Sequence, residues 1–257
     1  MNRQIQMGRM LKELRLPGFA ECFEELALRA SRESLTHEEF LYELVRTECE
    51  QRDQRRVQRL LRKSGLPESK TLRTLRMGSF PPIVRQQIER LKHGQFLEEA
   101  VNLVAVGRPG AGKSHLLAAI GHELVLQGKA VMWTSTAELM QKLLLAKRDL
   151  RLPQMLSGLD RYELLVLDDI GYVQHDRDEM EVLFTLLAER YERRSVGITT
   201  NLVFSEWERI FKNPMTTMAA IDRVVHHAVI LDLTQVDSYR AKEAGKAGTE
   251  QLMAVNK

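Results

Sequence analysis

The stretch VNLVAVGRPGAGKS, residues 101–114, decides the fold. Its last eight residues, Gly107 to Ser114, fit G-x-x-x-x-G-K-[ST] at every fixed position. A short apolar run leads straight into the motif, and a helical pattern over 114–127 follows it. Strand, glycine loop and helix in that order are what a phosphate-binding loop requires. The glycines let backbone amides turn inward on phosphate oxygens, and the helix N-terminus adds the positive end of its dipole. A chance glycine-rich turn would not need both neighbours. The candidate contacts are Gly107, Arg108, Pro109, Gly110, Ala111, Gly112, Lys113, Ser114 and His115. Lys113 is placed to reach the β- and γ-phosphates, and the Ser114 hydroxyl to ligate Mg²⁺.

Outward from this loop, short apolar runs at 101–106, 130–134, 164–168, 196–200 and 228–233 read as buried strands. Helical stretches at 114–127, 137–147, 179–193 and 205–227 separate them, the last broken near Pro214. Such alternation implies βαβ crossovers and a parallel sheet covered on both faces. Before residue 100 no strand pattern appears. Pro17-Gly18 separates two short helices, and Thr36 with Glu39 forms a capping box ahead of a long third one. Gly65 and Pro67 end it. The pattern predicts an α/β three-layer core with a five-stranded parallel sheet, preceded by a small all-helical domain. The expected divisions are 1–70 for the helical domain, 71–96 for a connector, 97–240 for the core and 241–257 for a frayed tail.

Three further positions fall at strand or helix ends. The run LLVLDD ends in Asp168 and Asp169. A carboxylate there can hold the hydration shell of Mg²⁺, which suits Asp168, and the next can orient or deprotonate water, which suits Asp169. Thr199-Thr200-Asn201 closes the fourth strand. Asn201 can contact the γ-phosphate or the attacking water, and from the residue alone is equally a turn former. Arg223 can reach a neighbouring subunit's phosphate or simply pair with Asp222 on the surface.

With these residues in view, GRPGAGKSHL, LLVLDDIGY, LLAERYERRS, TTNLVFSEW and the segment from DRVVHHAVIL to SYR resemble IstB-type transposition helper ATPases. These are AAA+ proteins related to DnaC-type helicase loaders. The resemblance spans about residues 95–240. It implies ATP bound with Mg²⁺ between neighbouring subunits, assembly along duplex DNA and support of a cognate transposase. By the resemblance, Lys113 and Ser114 belong to Walker A, Asp168 and Asp169 to Walker B, Asn201 is the first sensor and Arg223 a finger acting in trans. Arg240 matches a further family arginine. A DnaC-like helicase loader is the alternative, with different docking by the N-terminal helices. Many AAA+ proteins carry Glu where Asp169 stands. The shorter side chain holds its carboxylate about one bond further back, so a slow, DNA-stimulated ATPase is expected. Few residues follow the last strand, which leaves a neighbouring subunit to cover the nucleotide.

Charge distribution adds a partner. The net charge is +3, with 38 Lys and Arg against 35 Asp and Glu, but the surplus lies before residue 98. Arg52, Arg55, Arg56, Arg59, Arg62 and Lys63 recur at three- and four-residue steps on one helix face. Such a face neutralises backbone phosphates without reading bases, or docks an acidic partner. Two cysteines exclude a disulfide scaffold, and no apolar run approaches membrane length. The N-terminus has no apolar stretch behind its charges, so a cytoplasmic protein is expected. The seven histidines show no metal-ligand spacing. His226-His227 in particular has no partner nearby in sequence. A small-molecule kinase would need an acceptor pocket and a lid, and the sequence suggests neither.

Overall fold

The computed structural model describes residues 3–172, 177–207 and 214–238. His175, Arg240 and the 241–257 tail lie outside the described residues. The chain divides into two compact units, Met1–Arg59 and Leu60–Lys257.

The first unit holds helices α1 (Arg3–Glu13), α2 (Pro17–Glu33) and most of α3 (His37–Ser64). Pro17 opens α2, where a missing N–H costs no hydrogen bond. Ser34 ends α2 in the left-handed region at φ 55°, donating its N–H to the Ala30 carbonyl. The expected capping box starts α3. The Glu39 amide donates to Thr36 Oγ1 at 3.2 Å, and the Thr36 amide to Glu39 Oε2 at 2.7 Å. A second cap comes from across the unit. Glu48, buried on α3, accepts the Gly18 amide at 2.6 Å and the Phe19 amide at 3.3 Å, both orphan donors of α2. Arg52 Nε donates to the same carboxylate at 2.6 Å, and Arg52 also donates to the Arg15 carbonyl. Burial works against the charge on Glu48. The Arg52 guanidinium and the two amides outweigh it and hold the carboxyl below the usual range.

The second unit is a five-stranded parallel sheet in the order β2-β3-β4-β1-β5. Its strands are β1 (Asn102–Gly107), β2 (Val131–Ser135), β3 (Leu164–Asp168), β4 (Ser195–Thr200) and β5 (Ala228–Leu233). The connecting helices are α4 (Pro82–Leu91), α5 (Lys113–Leu126), α6 (Thr136–Arg148), α7 (Leu152–Leu159), α8 (Arg177–Arg190) and α9 (Pro214–Val225). Alternation along β1 builds two cores. Leu103 and Ala105 pack with Leu116, Leu117 and Ile120 of α5 and with Val84 and Ile88 of α4. Val104 and Val106 pack on the opposite face with Leu139 of α6, Leu183 of α8 and Val224 of α9. Each strand falls within one residue of its expected bounds. Helices α4 and α7 were not expected. Both carry proline in their first turn, which reads as a break yet starts a helix equally well.

Two buried polar side chains tie the sheet's N-terminal end together. Arg190, at the end of α8, donates to the carbonyls of Leu159, Tyr162 and Ser195. Desolvation pulls its pKa down to about 10 although Asp160 opposes the shift. Asn102 accepts the Val196 amide at 2.8 Å and donates to the Arg223 and Val224 carbonyls, so it joins β1, β4 and the last turn of α9. Among the described residues, no helix is long and apolar enough to cross a membrane.

Candidate nucleotide site

The loop from Gly107 to Gly112 leaves the C-terminal end of β1 and opens α5. Gly110 and Gly112 take φ of 83° and 95°, backbone that a β-carbon would strain. A β-carbon on Gly110 would lie 2.2 Å from Ser238 Oγ, so the segment after β5 rests directly on the loop. Lys113 Nζ donates to the Gly107 carbonyl at 2.8 Å and the Arg108 carbonyl at 3.1 Å. Its ammonium therefore sits at the loop's mouth.

Ser114 and the third strand meet as the sequence suggests. Ser114 Oγ donates to Asp168 Oδ1 at 2.7 Å. Thr199 Oγ1 donates to the same oxygen at 2.6 Å and accepts the Asp169 amide at 2.8 Å. One hydroxyl of β4 thus holds the Asp168 carboxylate and the Asp169 backbone, a role for Thr199 that no sequence motif marks. Asp169 holds φ 65°, a left-handed conformation that Asp tolerates better than most residues. Asn201 stands just beyond β4. Its Oδ1 is buried without a hydrogen-bond partner among the described residues and lies against Gly171, where a β-carbon would sit 2.2 Å away. A buried side-chain acceptor with no donor is uncommon and costs stability, so Asn201 is held there at a price in hydrogen bonding.

Arg223 is not brought to this cluster. Its guanidinium lies 4.6 Å from the Phe184 ring centroid on α8 and donates to the Ala219 carbonyl. Its own carbonyl is held by Asn102, the first residue of β1, whereas the phosphate loop follows the last. At strand rise the two points are separated by roughly 16 Å along β1.

The cleft over the loop encloses about 540 Å³. Gly110 to His115 form its floor. Lys70, Thr74, Arg76 and Phe80 line it from the segment before α4, and Gln235, Val236 and Asp237 from the segment after β5. These walls were missed in the sequence because no motif marks them. Lys70 and Arg76 bring two positive side chains to this cleft. His115 ties the wall to α5, with Nε2 at 3.2 Å from the Thr71 carbonyl and 3.1 Å from Thr74 Oγ1. Burial lowers its pKa, the Thr71 carbonyl opposes that, and the charge of Lys70 adds to it. A carbonyl only accepts, so Nε2 donates to Thr71.

Within the first unit, Lys12, Arg15, Arg52, Arg55, Arg56 and Arg59 line a groove of about 660 Å³ with Pro17, Glu48 and Asp53. Lys12 and Arg15 join the arginines only through folding, and sequence spacing gave no hint of them. Arg62 and Lys63 lie one turn further along α3.

The donor set suits a nucleotide with a hard divalent cation. Ser114 and Asp168 offer oxygens, the form of ligand Mg²⁺ takes, and the glycine cradle leaves room for phosphate. The comparisons agree on ATP. A family model described as IstB-like ATP binding protein matches residues 9–247. An insertion-sequence ATP-binding protein of Sinorhizobium fredii is 41% identical over 245 residues, covering 95% of this chain and 82% of that one. The ATP-binding protein of insertion sequence IS21 from Pseudomonas aeruginosa is 34% identical, covering 93% of this chain and 90% of that one. Among solved structures, AMPPCP-bound DnaA from Aquifex aeolicus aligns with a TM-score of 0.56 at 16% identity. It covers 73% of this chain and 56% of that one, a likeness of fold. With its loop, its strand order and these relatives, the chain is a P-loop ATPase and belongs to the IstB-like ATP-binding proteins of the AAA+ superfamily.

Proposed function

We propose that this protein uses ATP to assemble copies of itself along duplex DNA and so assists a partner transposase, in the cytoplasm. The observation that carries the oligomeric part is the position of Arg223, held by Asn102 at the end of β1 remote from its own phosphate loop. Such an arginine serves catalysis only at a neighbour's nucleotide, where it stabilises charge developing on the transferred phosphoryl group. The basic groove of the first unit supports contact with DNA backbone. The names of these two relatives, both from insertion sequences, support transposition as the setting.

In the proposed site, loop amides and Lys113 bind the phosphates. Ser114 and Asp168 would hold a Mg²⁺ ion, which would neutralise phosphate charge. Asp169 accepts a proton from water, and Asn201 orients that water or the γ-phosphate. The short Asp169 side chain makes turnover slow. Residues 1–70 act as the docking arm, 71–96 as connector and 97–240 as the ATPase core.

Electron microscopy with duplex DNA and a non-hydrolysable ATP analogue tests the reading. Rings or filaments that need both support it, and a monomer indifferent to both rejects it. Phosphate release measured with and without DNA, beside Lys113→Ala, tests turnover. Equal release by wild type and variant would remove the catalytic assignment. Co-purification with the transposase encoded alongside tests the partner.

A further inference from the structure

The turn between α8 and β4 and the turn between α9 and β5 meet at the N-terminal end of the sheet, on either side of β1. Glu192 comes from the first turn, His226 and His227 from the second. One ligating atom from each lies within 4.8 Å of the others, although more than thirty residues separate the turns in sequence. His227 Nε2 stands 3.6 Å from Glu192 Oε1. The two imidazoles meet edge to face with centroids 4.3 Å apart. The Tyr191 hydroxyl lies 3.1 Å from His226 Nδ1 and fixes that ring's orientation.

The backbone beneath is clamped. The Asn102 amide donates to the His227 carbonyl at 2.7 Å, and the Asn102 side chain grips Val196 on one flank and Val224 on the other. Both turns are therefore set by the same residue, and little reorganisation is needed to bring the three side chains onto one ion. Nothing in the nucleotide chemistry uses them.

We infer that Glu192, His226 and His227 form a binding site for a divalent first-row transition-metal ion. Two imidazoles and one carboxylate are the donors such ions take, and imidazole disfavours Mg²⁺ and Ca²⁺. Three protein ligands leave a coordination position open to water or to a group from outside the chain. All three side chains are exposed, so the ion enters without unfolding. Bound there, it cross-links the start of β4 to the end of α9, the helix that carries Arg223. The inference is independent of the proposed role on DNA.

Zn²⁺ titrated calorimetrically into untagged, chelator-treated full-length protein tests it, beside His227→Ala and Glu192→Gln. Both positions are exposed, and circular dichroism checks that the variants fold. Wild type should bind one more Zn²⁺ than either variant, and its melting temperature should rise with Zn²⁺ while theirs do not. Co²⁺ in place of Zn²⁺ should give visible absorption bands that both variants lose. Equal stoichiometry in all three proteins, or no saturable binding by the wild type, overturns the inference. Either result would leave Glu192 and His227 as a surface polar contact.

Discussion

Thr199 concentrates much of the site's geometry in one hydroxyl. It donates to the Asp168 carboxylate and accepts from the Asp169 amide, so that carboxylate and the Asp169 backbone both depend on it. Thr199→Val keeps the shape but leaves that amide without its acceptor, at a cost of about 1–3 kcal/mol if it stays buried. ATP hydrolysis should fall by at least tenfold with nucleotide affinity largely kept. Thr199→Ser should restore it, and a steady-state assay of the three proteins checks this. Gly171 is the second such position. An alanine β-carbon would fall 2.2 Å from Asn201 Oδ1, so Asn201 must move. If Asn201 acts on the γ-phosphate or the water, Gly171→Ala should lower kcat on the order of 10²-fold. A fluorescent nucleotide should still bind, which separates the effect from collapse of the loop.

At the scale of elements, α2 depends on a cap from α3. Glu48 satisfies the Gly18 and Phe19 amides, and Glu48→Ala should destabilise the helical unit by about 1–2 kcal/mol. Because its carboxyl is held below the usual range, its contribution is complete above the ordinary glutamate pKa. It is lost as pH falls through the lowered value. Helicity followed by circular dichroism from pH 7 to pH 2 should show this loss in the wild type and a flatter profile in Glu48→Gln. Sequence alone gives no hint of this cap. The Thr36–Glu39 box is legible because its partners lie three residues apart, whereas Glu48 lies thirty residues from Gly18 and reads as one more surface charge. The same contrast runs through the core. Strands β1 to β5 stand out as short apolar runs, and the phosphate loop as a fixed spacing. Phe80, Arg76 and Val236 reach the nucleotide cleft only through tertiary packing, and no local pattern records that. His226-His227 likewise shows no partner in sequence, because Glu192 arrives by way of β4.

For the whole molecule, the charge asymmetry becomes a measurable salt dependence. If the groove of the first unit takes DNA backbone, affinity should fall linearly with the logarithm of salt concentration. Neutralising Lys12 and Arg15 together should reduce that slope by about 2, with little change in sequence preference. Fluorescence anisotropy on two unrelated duplexes at several salt concentrations checks both points. The strand order has a consequence of another kind, in the time course of synthesis. Strand β1 pairs only with β4 and β5, and both are translated after it. About ninety residues separate β1 from β4, so at cellular rates of roughly 5–20 residues per second it waits on the order of 5–20 s for its first neighbour. During that interval a strand apolar on both faces has no sheet to join. The phosphate loop it carries cannot close on nucleotide until most of the chain has left the ribosome, so chaperone protection during translation matters most between the emergence of β1 and that of β4.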